Sequence, residues 1–297
     1  MAAMPAAIAR QTRTHVDAAT FALWERLAEF PAGATDAQLR CMQDWLACAI
    51  RADNVIWIGA VRVLRGARAR GDPFLGWRLR GRATLKPEPE AYREQHAAYY
   101  ANDHYGRLTR GYYERSHSDR VRLVHAGMTG TASLAGAGAF RVHCLRDPEF
   151  LDYAAFRHTE HYRLYYRIPG IVDRMTIGYP VDADSESFFL IDRYRARADG
   201  GRGRPFSARD AAIAGGAVRG VRALHRQTLM SHGLLGGDKL LSPVERQILF
   251  GLVRGDTERA IAAALGQKPA TLHKYVRDLH ARFGVRSRAE LMAMWFR

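Results

Sequence analysis

Apolar positions along the chain fall into several successive rhythms. Over residues 16–30 and 35–50 they recur at helical spacing, with Pro31 stopping the first run, so the chain opens with two helices. NVIWIGAVRVL, residues 54–64, is β-branched and nearly all apolar between polar flanks, as a central strand covered on both faces would be. DRMTIGYPVD (173–182) and ESFFLIDRYRA (186–196) flank a short acidic, Ser-containing turn and predict an antiparallel hairpin. Ser207 and Asp210 then form an S-x-x-D capping signal for one helix running to about residue 230. On it Ala212, Gly216 and Gly220 stand four apart, and each glycine costs about 1 kcal/mol against alanine. Such a small-residue stripe suits close approach to the domain's own sheet or to the same helix of a second subunit.

SHGLLGGDKLLS, residues 231–242, holds Gly233, Gly236 and Gly237 and reads as an interdomain linker. It divides the chain into an N-terminal domain over 1–232, a linker over 233–240 and a C-terminal domain over 241–297. In the last of these, Ser242, Pro243 and Glu245 start a helix with a capping box, Ile248, Leu249, Leu252 and Val253 form its buried face, and Gly255 ends it. Thr257 caps a short second helix with Ile261 and Leu265 inward. Gly266 then turns the chain before Pro269 opens a third helix to about Phe283, the pattern of a helix-turn-helix. On that third helix Leu272, Val276, Leu279 and Phe283 share one face. Ala270, Lys274, Arg277 and Ala281 lie opposite with His273 beside them, two small residues for close approach and donors for guanine edges or phosphates. The alternative is a solvated face in which Lys274 pairs with Asp278. Ser287 and Glu290 predict a capping box for a fourth helix through Leu291, Met294 and Trp295, and Trp295 with Phe296 offers a docking surface.

Charge sharpens this reading only in part. Among 297 residues Lys plus Arg is 45 and Asp plus Glu 30, a net charge of +15 that favours polyanionic partners. Only Lys86, Lys239, Lys268 and Lys274 are lysines, and so Arg-heavy a balance also fits a base-composition bias. No apolar run approaches the ~18 residues of a membrane span, and the opening MAAMPAAIAR lacks the basic-then-apolar order of a secretion signal, so a cytoplasmic protein is expected. Cys41, Cys48 and Cys144 form no CxxC pair, consistent with a reducing compartment.

At LSPVE, at GDTERAIA (255–262), at Leu265 and Gly266, at Thr271 and Leu272, and at FGVRSRAEL, the C-terminal segment resembles the LuxR-type, or GerE-like, DNA-binding domain, a four-helix helix-turn-helix module. The resemblance implies that Thr271 holds the DNA backbone, that His273, Lys274 and Arg277 read bases, and that Arg286 and Arg288 sit near phosphates. Two positions depart from the family's habit: Lys268 stands at the helix N-cap where Ser is usual, and Tyr275 where His is usual. A cation at a helix N-terminus opposes the dipole, so Lys268 is expected to reach a phosphate.

The segment from about 54 to 230 resembles GAF-type sensor domains in architecture, an antiparallel sheet flanked by terminal helices, with GRPFSARDAA opening the last helix. The fold expected is therefore an α+β, GAF-like N-terminal domain joined to an all-α module. Residues 92–113 and 150–166 are dense in tyrosine, and a ligand pocket built from Trp57, Tyr99, Tyr100, Tyr105 and Tyr165 stands beside ordinary packing as the reading of that density. His158 and His161 lack a third ligand, so no metal is expected, and no cofactor. There is no G-x-S-x-G elbow, no HExxH and no G-K-[ST] phosphate loop, and catalysis has no candidate constellation. The expectation is a non-enzymatic transcription regulator that binds double-stranded DNA as a homodimer and responds to a small-molecule effector, with RNA polymerase as a further partner. The alternatives are an enzyme or a ligand-free dimerisation domain fused to the same module, or a relative of sigma-type initiation factors.

Overall fold

The computed structural model describes residues 16–66, 75–88, 90, 93–94, 133–134, 136–196 and 200–297. Helices α1 (Ala18–Ala28) and α2 (Thr35–Ala49) lead into strands β1 (Asn54–Arg62), β2 (Trp77–Thr84) and β3 (Arg141–Cys144). Two short turns of helix, α3 (Tyr153–Phe156) and α4 (Glu160–Tyr162), and a π-helical turn (Arg163–Arg167) precede β4 (Ile171–Pro180) and β5 (Ser185–Tyr194). The five strands form one antiparallel sheet in the order β2-β1-β5-β4-β3. β1 lies inside it and is buried from Asn54 to Val61, as its unbroken apolar run requires, and β4 with β5 is the expected hairpin.

Side-chain alternation splits the strands between two environments. Val55, Trp57 and Val61 of β1, Met175 and Ile177 of β4, and Phe189 and Ile191 of β5 meet Leu23, Leu27, Leu39, Met42 and Leu46 of the first two helices. On the opposite face Ile56, Ile58, Ala60, Trp77 and Phe188 form a second cluster. Two buried ion pairs share that face: Arg174 donates to both carboxylate oxygens of Asp192 at 2.6 and 2.7 Å, and Arg141 to those of Glu186 at 3.1 and 2.6 Å. Gly178 makes room for the second pair, because a Cβ there would lie 2.7 Å from the Arg141 guanidinium carbon.

The single helix expected over 207–230 is two, α5 (Ala208–Arg219) and α6 (Arg222–Ser231). The Ser207–Asp210 box caps α5 as expected. The break has a tertiary cause. Trp24 of α1 donates its indole N–H to Ala217 O at 3.0 Å, and His225 bonds Val218 O at 2.8 Å through Nε2, so the two carbonyls that would continue the helix are taken. A Cβ on Gly220 would fall within the Trp24 ring, so the last small residue of the stripe serves a close approach inside the chain.

Four further helices complete the chain: α7 (Pro243–Arg254), α8 (Glu258–Ala264), α9 (Pro269–Phe283) and α10 (Arg288–Phe296). Their core contains Ile248, Leu249, Leu252, Val253, Ile261, Leu272, Val276, Leu279, Phe283, Leu291 and Trp295. Residues 233–240 do not form a free tether: Leu234 is buried in the sheet domain's core and Leu235 in the core of the C-terminal helices. Among the described residues no helix is long and apolar enough to cross a membrane.

Candidate nucleic-acid interface

The C-terminal helices are held by local chemistry that places α9 outermost. Ser242 and Glu245 exchange bonds at the start of α7, the Ser242 N–H donating to Glu245 at 2.7 Å, and Gly255 ends the helix in the left-handed region at φ 98°. α8 lies close over α7 because position 251 is glycine, where a Cβ would come within 2.7 Å of Ile261 Cγ1. Gly266 turns the chain at φ 62° into Pro269, and α9 ends at Gly284 at φ 65°. At the start of α10 only half of the expected box forms. The Glu290 N–H donates to Ser287 Oγ, while the Glu290 carboxylate accepts from the Arg286 N–H at 2.8 Å.

With Leu272, Val276, Leu279 and Phe283 turned inward, the opposite side of α9 is exposed among the described residues: Ala270, Thr271, His273, Lys274, Arg277, Asp278 and Ala281. Lys268 sits exposed at the N-cap without a side-chain cap bond, and Arg286 is exposed beyond the far end. Among the described residues Lys274 forms no ion pair with Asp278, so its ammonium and the Arg277 guanidinium are available to an outside partner. His273 has a side-chain partner, Glu258 at the first turn of α8, its Nδ1 lying 3.2 Å from Glu258 Oε2. Sequence reasoning passed over Glu258, because its contact spans a turn between two helices.

Arg288 is placed differently. Its guanidinium points back into the module and donates to Leu252 O at 2.9 Å, in the last turn of α7, and to Asp256 O at 2.7 Å, in the loop after it. It adds a donor at the helix terminus, where Leu252 O also accepts from the Gly255 N–H at 3.2 Å.

The module rests on the sheet domain through a polar seam that sequence reasoning also missed. From α6, Arg226 donates to Met294 O at 2.8 Å and Gln227 to Trp295 O at 3.3 Å, binding carbonyls at the end of α10. Arg246 of α7 bonds Ser231 O at 3.0 Å and Asp36 at 2.6 Å, and Arg282 of α9 bonds Gly233 O at 3.2 Å. Beside this seam the His232 ring packs against Trp57, tilted by 41° with ring centroids 4.6 Å apart. Burial and the neighbouring Arg246 hold its imidazole below its ordinary pKa. The exposed side of α9 takes no part in the seam.

Of the five aromatic residues expected to line a pocket, Tyr99, Tyr100 and Tyr105 lie outside the described residues. The other two are not brought together. Trp57 is fully buried in the helix-side core and donates to Ser187 Oγ at 2.8 Å, whereas Tyr165 belongs to an aromatic cluster with Phe150, Phe156 and Tyr166. His161 is buried in that cluster against Phe156 and Tyr165, and desolvation lowers its pKa to about 3. His158 is exposed. Among the described residues no group of three or more His, Cys, Asp or Glu is placed to hold a metal ion.

No curated protein matches the chain. Two solved structures are similar over most of their length. SdiA in complex with octanoyl-rac-glycerol is 12% identical, with 93% of this chain and 92% of that chain covered and a TM-score of 0.42. Escherichia coli SdiA is 11% identical, with 93% and 94% covered and a TM-score of 0.41. The family model GerE, described as bacterial regulatory proteins, luxR family, matches residues 239–295. By that match the helices from α7 to α10 form a helix-turn-helix domain of the luxR family of bacterial regulatory proteins.

Proposed function

We propose that the protein is a sequence-specific regulator of transcription that places α9 in the major groove of double-stranded DNA. The observation that carries this reading is the exposed side of α9, where Lys274 and Arg277 stand between Ala270 and Ala281 without an ion pair among the described residues. Small residues let the helix approach the base edges, and the two cations reach guanine N7 and O6 or phosphate oxygens. Thr271, Lys268 and Arg286, at the rim of this face, contact the backbone and fix the register. Arg288 acts from inside, holding the end of α7 that carries the turn. Selection of a duplex from a randomised pool by the full chain tests the reading: an enriched motif supports it, and an unenriched pool contradicts it.

The N-terminal part is proposed as a GAF-like sensing and dimerising domain over 1–232, joined through 233–240 to the reading head. Two heads on a homodimer would meet half-sites about one helical turn apart. What supports a sensing role is the seam: a change at the sheet reaches the reading head through Trp57, His232 and Leu234 without crossing a flexible tether. Native mass spectrometry of the purified chain tests it, since a retained small molecule and a twofold mass are both expected, and a bare monomer contradicts the sensing and dimer assignments alike.

A further inference from the structure

The contact between Glu258 and His273 has a consequence for which bases the protein reads, and it rests on the assignment of α9 as the DNA-reading helix. A neutral imidazole carries one hydrogen, and which nitrogen holds it is set by the bond the other nitrogen makes. Glu258 presents a carboxylate, which only accepts. With Glu258 Oε2 3.2 Å from Nδ1, the hydrogen of the neutral ring belongs on Nδ1, and Nε2 is left with its lone pair. His273 lies on the exposed side of α9 next to Lys274 and one turn from Arg277, so that lone pair is presented with the reading face.

We propose that Glu258 is a specificity-determining positioning residue: it locks the tautomer of His273 so that the imidazole reads the major groove as a hydrogen-bond acceptor. The bases that offer a donor there are adenine, through N6–H, and cytosine, through N4–H, whereas guanine and thymine present only acceptors at their polar groups. The neighbouring Lys274 and Arg277 offer only donors and suit guanine or phosphate. One acceptor beside two donors gives the face a mixed code. A ring freed from Glu258 can turn its N–H outward instead and accept guanine N7 as a partner.

The test is selection from a randomised duplex pool at pH 8, using the full chain and its E258A, E258Q, H273A and E258A/H273A variants. Gln keeps the shape of Glu but can donate as well as accept, so it removes the tautomer lock without removing the side chain. The wild type is expected to favour adenine or cytosine at one position by roughly five- to tenfold over guanine. E258A and E258Q should both admit guanine at that position and nowhere else, H273A should lose preference there, and the double variant should match H273A. Guanine at that position in the wild type overturns the proposal. So does an unchanged preference in both Glu258 variants beside a lost one in H273A, and so does an H273A profile identical to the wild type. A wild type that enriches no motif removes the DNA-reading assignment itself, which is a different failure from a motif that ignores Glu258.

Discussion

Leu234 and Leu235 are consecutive in the chain yet belong to different cores: the first packs with the sheet and its helices, the second with the four C-terminal helices. Both are almost fully buried. Gly59 on β1 lacks a Cβ where Leu234 Cδ1 sits, so the strand makes space for the first of them. The junction between the halves is therefore a packed joint. Leu234→Ala and Leu235→Ala should each destabilise by about 2–5 kcal/mol through lost burial and a residual cavity. Because each core borrows a neighbour of the other, the wild type should unfold in one transition in a denaturant titration. Two separate transitions in the wild type would mean that the halves are held only by chain connectivity.

The polar part of the joint predicts local behaviour. Arg226 and Gln227 satisfy carbonyls at the end of α10. Replacing both with alanine leaves those acceptors to water and should raise hydrogen exchange in α10 and proteolysis within 233–240, with little change in α1 and α2. Unaltered exchange in α10 contradicts a clamp there.

Legibility in the sequence followed the range of the interactions. The C-terminal module was legible because its signals are local: Ser242 and Glu245 are three apart, Gly255 and Gly284 take left-handed caps, and the buried residues of α9 repeat every three or four positions. The β4–β5 hairpin was legible for the same reason. The break at Gly220 was not, because Trp24, which takes the carbonyl of Ala217, lies 193 residues away. The buried pairs left only a faint trace, charged residues such as Arg174 and Asp192 interrupting apolar strands. The linker over 233–240 was read from its glycines, whereas Leu234 and Leu235 between them decide its placement.

Stability should fall in acid, and the buried histidines give the sign. Burial lowers the pKa of His225 to about 4 and that of His161 to about 3, and lowers that of His232. Each is neutral in the folded chain at a pH where the unfolded chain, with a value near 6.5, binds a proton. Their contribution is complete above that value and is lost as pH falls toward the folded values, by up to about 1.4 kcal/mol per pH unit per group. Asp173 and Glu88 oppose them: burial raises the pKa of Asp173 to about 6 and raises that of Glu88, so their protonated folded forms favour stability on the acid side. Three groups against two still leave a net loss between pH 6.5 and 4.5. Equilibrium unfolding at pH 7.5 and 5 checks this, and H225N should flatten the slope. A flat profile in the wild type contradicts the burial of these rings.

Arg288 and Arg277 should separate cleanly. Arg288 donates into the end of α7 and the loop after it, so R288A should lower the melting temperature by removing the donors to the carbonyls of Leu252 and Asp256. R277A removes an exposed side chain and should leave the melting temperature unchanged. A reversed pattern would place Arg288 on the DNA and Arg277 in the fold.

The most direct measurement of the central claim is the affinity of R277A, beside the wild type, for the duplex that the full chain enriches, read by fluorescence anisotropy at fixed salt. A base contact by Arg277 predicts a loss of about 1–3 kcal/mol with relaxed preference at one position and an unchanged melting temperature. Wild-type affinity and wild-type sequence preference in R277A would contradict the assignment of α9 as the helix that reads DNA.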